Sequence, residues 1–218
     1  MDISHYAQRI KIPSSICFSS KRNTGKSVMV NALVKALVEQ KKVDSVIVFS
    51  ATAHLNDDYP DLPMNVKQEF SDEKLRRLID HQKQVPKEKR KRIFIIFDDL
   101  LGDRSAKNSD LIMYCYAIGR HINISPCLVV QVANHLLTPT TKANSDYIFI
   151  SRLNRGQMCS MWESAITNID KRDFIEMVEF VNKDFKFLAV DNTTQSNNPE
   201  DFLSVVRAIL PTKKSPEK

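Results

Sequence analysis

The chain lacks any apolar run approaching the roughly 20 residues of a membrane-spanning helix, so no membrane span is expected. Its first residues, Met1-Asp2-Ile3-Ser4-His5, lack the basic-then-apolar pattern of a secretory leader, and position 2 is not the glycine that myristoylation requires. Cysteine is sparse. Cys17, Cys115, Cys127 and Cys159 form no CxxC pair and two lie in apolar runs, which reads as buried thiols in a reducing compartment and argues against a structural zinc site. His5, His54, His81 and His135 have no carboxylate or cysteine at metal-ligand spacing. No internal repeat is visible. The 218 residues suffice for one α/β domain with a substantial core, but not for two catalytic domains.

Positive charge is in excess, at a formal +6, which permits a polyanionic partner without establishing one. It is unevenly spread. Segment 71–92 carries nine Lys or Arg against four Asp or Glu, ending in Lys87-Glu88-Lys89-Arg90-Lys91-Arg92. Lys87, Lys89, Arg90 and Lys91 are candidates to contact DNA phosphates. A solvated loop ahead of a buried strand is the competing interpretation.

Short apolar runs alternate with helical periodicity. Strands are expected at 14–19, 46–50, 92–97, 127–132, 147–151 and 187–190, with a minor strand beginning at Val66. The continuous β-branched runs suit strands covered on both faces. Helices are expected at 27–39, 73–82, 110–118, 158–166 and 171–181. Asn198-Pro199-Glu200-Asp201 has a cap, a proline at the first helical position and acids in the first turn, predicting a helix through Phe202, Val205, Val206 and Ile209 that stops near Pro211. The tail beyond it is expected to be disordered. This alternation implies an α/β fold with a mostly parallel central sheet and helices on both faces.

Residues 20–27 read Ser-Lys-Arg-Asn-Thr-Gly-Lys-Ser, between an apolar strand and an amphipathic helix. This is a phosphate loop, GxxxxGK[ST], with Ser20 in place of the first glycine. Backbone N–H groups from Lys21, Arg22, Asn23, Thr24, Gly25, Lys26, Ser27 and Val28 and the helix N-terminus can wrap the phosphates of a nucleoside triphosphate. Gly25 allows close approach, Lys26 reaches the β- and γ-phosphates, and Ser27 offers a hydroxyl to Mg²⁺. Lys21 or Arg22 could face the γ-phosphate, or else solvent.

The run Ile93-Phe94-Ile95-Ile96-Phe97-Asp98-Asp99 ends a buried strand in two carboxylates, as a Walker B element does. Asp98 would hold the Mg²⁺ shell and Asp99 would orient or deprotonate the attacking water. Gln131, at the end of Leu128-Val129-Val130, could sense the γ-phosphate or serve a structural hydrogen bond. Arg120 is a candidate for a neighbouring subunit's nucleotide or a DNA phosphate, with Arg152 and Arg155 as further finger candidates. Ser50, Thr52 and Trp162 carry no specific signal.

On Gly25-Lys26-Ser27, the strand IIFDD at 95–99, YAIGRHINIS at 116–125, LVVQ at 128–131 and YIFISRLN at 147–154, the chain resembles the poxvirus-type DNA-packaging ATPases of large DNA viruses and virophages, within the FtsK/HerA group of P-loop NTPases. The resemblance covers roughly residues 12–192. It implies a RecA/FtsK-like ATPase domain over residues 1–192, followed by a C-terminal helix and basic tail over 193–218. It further implies ATP and Mg²⁺, double-stranded DNA, a homo-oligomeric ring (pentamer or hexamer), viral capsid proteins as partners, and a location at the site of virion assembly in host cytoplasm or nucleus, or in the virion. Lys26, Ser27, Asp98, Asp99 and Gln131 carry over as the intrasubunit site. Ser20 is the main departure. A nucleoside or nucleotide kinase, with 152–158 as its lid, and a nucleotide-gated assembly protein without turnover are the alternatives.

Overall fold

The computed structural model describes residues 1–52, 59, 62, 66–107, 109–131, 136–181 and 185–209. The near-continuous apolar runs become strands: β1 (Ile16–Ser20), β2 (Ser45–Ser50), β3 (Val66–Gln68), β4 (Ile93–Asp98), β5 (Ile124–Val130), β6 (Tyr147–Ser151), β7 (Phe187–Asp191) and β8 (Leu203–Val206). The helices among the described residues are α1 (Ile3–Tyr6), α2 (Lys26–Glu39), α3 (Asp72–Gln84), α4 (Arg104–Lys107), α5 (Asp110–Ile118), α6 (Pro139–Ala143), α7 (Arg155–Ala165), α8 (Lys171–Val181) and α9 (Pro199–Phe202). His54, His135 and the expected strand end at Val132 lie outside the described residues, as does the tail from Leu210.

One sheet contains all eight strands in the order β3-β2-β4-β5-β1-β6-β7-β8. The six strands from β3 to β6 pair parallel. β7 then runs antiparallel to β6, and β8 antiparallel to β7. Alternate strand residues divide the core into two layers, as the period of two requires. Ile16, Phe18, Val48, Phe94, Ile96, Val129 and Phe149 pack with α1 and α2. Cys17, Phe97, Ile95, Leu128, Ile148 and Ile150 pack with α3, α5, α7 and α8. Helices therefore cover both faces of a largely parallel sheet, the architecture of a RecA/FtsK-like P-loop core.

Local chemistry sets several helix starts. The Ser71 side chain accepts from Lys74 N at α3, and Asn154 and Gln157 form a reciprocal capping box at α7. Tyr116 ties α5 into the sheet: its hydroxyl donates to Ile16 O on β1 at 2.5 Å and accepts from Leu128 N on β5 at 2.9 Å.

The helix expected from Asn198 through Ile209 is a single turn. Asn198 does cap it, accepting from Glu200 N, but after Phe202 the chain extends as β8. Leu203–Val206 pairs with Val190 to Phe187 on β7, so hydrogen bonds across the sheet replace those that a longer helix would have made along its own axis. The sheet thus takes in residues well beyond 192. Arg207 then bridges to Asp2, which sets the first residues of the chain beside the segment that follows β8.

Candidate phosphate-loop site

The loop leaves the end of β1 and enters α2 through Gly25, whose φ of 81° is the left-handed backbone that favours glycine. Asn23 also adopts positive φ, at 57°, a region that asparagine tolerates. Ser20 does not. It ends β1 in extended backbone, paired in register with Ser151, so no glycine is required there. Its hydroxyl lies 2.5 Å from Thr24 Oγ1, and Thr24 Oγ1 donates to Lys21 O at 2.9 Å. The serine that replaces glycine thus closes the loop from within.

Lys21, Arg22 and Asn23 are exposed at the loop's crest, Thr24 is buried, and Lys26 and Ser27 are half-buried in the first turn of α2. Val28 follows them as an exposed residue. Lys26 Nζ folds back on the loop, donating to Ser20 O at 3.0 Å and Lys21 O at 2.7 Å. Burial pulls its pKa below the ordinary lysine value, Asp98 and Asp99 pull it back up, and Arg22 adds to the fall. The ammonium therefore sits in the field of both carboxylates and of the loop's own arginine.

Asp98 ends β4 at 8 % exposure and stands in register with Ser50 on β2 and Val129 on β5. Tyr59 Oη donates to Asp98 Oδ2 at 2.6 Å, which holds the carboxylate in place. The sequence carries no sign of Tyr59's role. The residue lies in a proline-flanked stretch with no periodicity, where nothing marks one aromatic as special. Asp99 is half-buried in left-handed backbone, φ 50° and ψ 38°, which turns the chain so that Leu100 enters the core.

The strand order sets the rest of the site. β5 lies between β1 and β4, so Gln131, one residue past β5, emerges between the phosphate loop and the acidic pair. Arg22 Nε donates to Gln131 Oε1 at 2.8 Å. Loop, glutamine and acids are thus brought together at the carboxyl ends of adjacent parallel strands, where α/β folds gather their ligands.

Other candidates lie elsewhere. Arg120 is exposed in the 3-10 turn Gly119–Ile122, ahead of β5. The seven-residue strand places it roughly 20 Å or more from Gln131. It cannot reach its own subunit's loop. Gly119 is dictated by packing, since a Cβ there would lie 2.7 Å from Ile124 O. Lys87, Lys89 and Lys91 are exposed at that same amino-terminal end, ahead of β4. Arg90 differs from them: its guanidinium donates to the carbonyls of Val85, His121 and Lys83. Arg155 opens α7. Arg152 sits beside the loop, its guanidinium 5.6 Å from the centroid of the Phe185 ring. Residues 152–158 do not form a lid, because Leu153 is buried and Asn154 caps α7. All four cysteines are free thiols, and burial raises those of Cys17 and Cys115 to about 12. No described helix is long and apolar enough to cross a membrane.

Comparison with known proteins agrees with this geometry. The model of the poxvirus A32 protein family matches residues 5–200. No curated protein matches. Among solved structures, the genome packaging NTPase B204 of Sulfolobus turreted icosahedral virus 2, in complex with ATPγS, superposes with a TM-score of 0.63 at 16% identity, over 90% of this chain and 98% of that one. B204, the DNA-packaging ATPase of Sulfolobus turreted icosahedral virus, gives 0.67 at 13% identity over 92% and 100%. The cytoplasmic domain of the type VII secretion ATPase EccC of Thermomonospora curvata gives 0.59 at 12% identity, over 94% of this chain and 26% of that one. With the phosphate loop at 20–27 and the family match over most of its length, the chain belongs to the poxvirus A32 protein family, P-loop NTPases related to the genome-packaging ATPases of the FtsK/HerA group.

Proposed function

We propose that the protein is an ATP-hydrolysing motor that moves double-stranded DNA into a viral capsid, working as a homo-oligomeric ring, a pentamer or hexamer. The observation that carries this reading is the placement of Gln131 between the phosphate loop and the Asp98-Asp99 pair, with Arg22 joining loop to glutamine. The B204 relatives, one of them in complex with ATPγS, support ATP as the nucleotide and DNA as the cargo.

Each residue then has a role. Lys26 exchanges the carbonyls of Ser20 and Lys21 for the β- and γ-phosphate oxygens, and its charge offsets the charge that develops during transfer. The backbone of residues 21–27 cradles the α- and β-phosphates. Asp99 takes the proton of the attacking water, and Gln131, released from Arg22, orients that water or senses the γ-phosphate. A hydroxyl at Ser27 and a buried carboxylate at Asp98, braced by Tyr59, are the hard oxygen donors that suit a small divalent cation. Ser27 and Asp98 would hold Mg²⁺, which when bound supplies charge neutralisation on the β- and γ-phosphates. Arg120 is left for a neighbouring subunit's nucleotide or a DNA phosphate. Lys87, Lys89 and Lys91 form the DNA-facing cluster, at the end of the sheet away from the chemistry. Capsid proteins are the remaining partners, and virion assembly the setting.

A nucleoside kinase would need a mobile basic lid over an acceptor, and the capped start of α7, anchored by the buried Leu153 just ahead of it, argues against one. The test is steady-state ATP hydrolysis with and without linear double-stranded DNA. DNA-stimulated turnover is expected. Phosphoryl transfer to a nucleoside, or tight ATP binding without turnover in the presence of both DNA and capsid, would overturn the motor reading.

A further inference from the structure

Phe185 has no role in the site so far. It precedes β7 and is 60% exposed, yet its ring lies against the phosphate loop: a Cβ at Gly25 would be 3.5 Å from Phe185 Cδ1. Arg152, one residue past β6, holds its guanidinium 5.6 Å from the ring centroid. Both residues adopt left-handed backbone, φ 52° at Phe185 and 47° at Arg152. Two bulky residues held in that region, one ring against the loop and one guanidinium against that ring, are a costly arrangement for an ordinary surface.

The sheet order says which part of a nucleotide would meet them. β5 and β4 flank β1 on one side and carry Gln131, Asp98 and Asp99. β6 and β7 flank it on the other and carry Arg152 and Phe185. A triphosphate cradled by residues 21–27, with its γ-phosphate beside the acids, must send its nucleoside toward β6 and β7. What waits there is an exposed aromatic ring with a cation against it, a surface suited to stacking a base and stabilised by cation–π attraction.

We propose that Phe185, backed by Arg152, is the stacking platform for the nucleobase of the bound nucleoside triphosphate. This rests on the reading of residues 20–27 as a nucleotide site. Because a ring face stacks on any base, the platform contributes affinity for the base without reading its edge.

The test compares affinities for ATP and for inorganic tripolyphosphate, by calorimetry, in wild type, Phe185→Ala, Phe185→Trp and Lys26→Ala. Phe185→Ala is expected to weaken ATP about 5- to 150-fold, the range for loss of one aromatic–base stack, and to leave tripolyphosphate unchanged. Phe185→Trp is expected to restore ATP. Because the ring is largely exposed, neither substitution opens the core. Equal weakening of both ligands in Phe185→Ala would show that the ring shapes the loop instead, and unchanged ATP affinity would show that the base goes elsewhere; either overturns the platform while leaving the nucleotide site intact. Lys26→Ala is expected to weaken both ligands together. If it changes neither, the nucleotide site itself is wrong and the platform falls with it.

Discussion

At the amino-terminal ends of the parallel strands, polar groups are satisfied by one another. Arg90 donates to three carbonyls, the Gln82 amide donates to Lys91 O and Ile122 O, Asn123 Nδ2 donates to Arg90 O, and Arg92 pairs bidentately with Asp44. At the carboxyl ends the polar groups are held close but in exchangeable contacts. Lys26 rests on the carbonyls of its own loop, Arg22 on Gln131, and Asp99 turns out of β4 in left-handed backbone. The first arrangement stitches loops 85–92 and 119–123 together. The second keeps charge available to a ligand, and it is also where most of the positive-φ residues sit: Asn23, Gly25, Asp99, Arg152 and Phe185. A substitution at one end should therefore change chemistry with little change in stability, and at the other end the reverse.

The largest effect is expected from Asp99→Asn. The amide keeps the shape but cannot accept the proton of water, so hydrolysis should fall about 10²- to 10⁴-fold, the usual contribution of a general base. ATP affinity and the thermal midpoint should stay near wild type. A protein that instead melts early would place Asp99 among the structural groups and erase the contrast between the two ends.

Arg90→Ala should do the opposite. It leaves three carbonyls without their charged donor, costing about 2 kcal/mol, which at this chain length is a fall of about 4–8 °C in thermal midpoint. Its neighbours give the control. Lys87, Lys89 and Lys91 are exposed, so replacing all three with glutamine should move the midpoint by no more than about 2 °C. If they face DNA phosphates, the same triple variant should reduce the salt slope of log affinity for linear duplex by about 3. An unchanged slope would remove this segment from the DNA path, leaving it as a solvated loop.

The carboxyl-terminal end was the legible one. A glycine, a lysine and a serine at fixed spacing, and two acids after five apolar residues, mark chemistry wherever they fall between a strand and a turn. β1, β2, β4 and α2 were readable for a related reason, since their signals are local and continuous. Long-range pairing was not readable. Asn198 and Pro199 do start a helix, but nothing nearby announces that β7 offers an open edge to Leu203–Val206. β5 begins at Ile124, three residues ahead of the strand expected from Cys127, because β4 pairs with it from Ile124 to Val129, across Pro126. Roles were also less visible than positions. Gln131 follows β5 rather than lying within it, and its bond to Arg22 joins residues 109 positions apart. In sequence Arg90 is indistinguishable from its lysine neighbours, and only the fold brings the carbonyls of Val85, His121 and Lys83 to its guanidinium. Phe185 and Tyr59 gave no local signal, since each gains its role only from what the fold sets beside it.

The smallest expected effect tests whether the amino-terminal end is held by charge at all. Arg92 Nη2 lies 2.6 Å from Asp44 Oδ1 and Arg92 Nε 2.9 Å from Oδ2, while the Arg92 backbone N–H donates to the same carboxylate at 2.8 Å. The side-chain hydrogen bond from Arg92 leads the other causes in lowering the Asp44 pKa; partial burial opposes it. The side chains are 37% and 35% exposed, so solvent screening limits the pair to at most about 1 kcal/mol. A carboxyl whose folded pKa is depressed contributes its full stabilisation above the unfolded value, about 3.9, and loses it as pH falls through the folded value. Wild type should therefore melt a few degrees above Asp44→Asn at pH 6, and the gap should close as pH drops below about 3.9. A gap that persists at low pH would mean that hydrogen-bond geometry, not charge, ties β2 to β4 there. The amino-terminal end would then differ from the nucleotide end in the kind of interaction that holds it, as well as in its use.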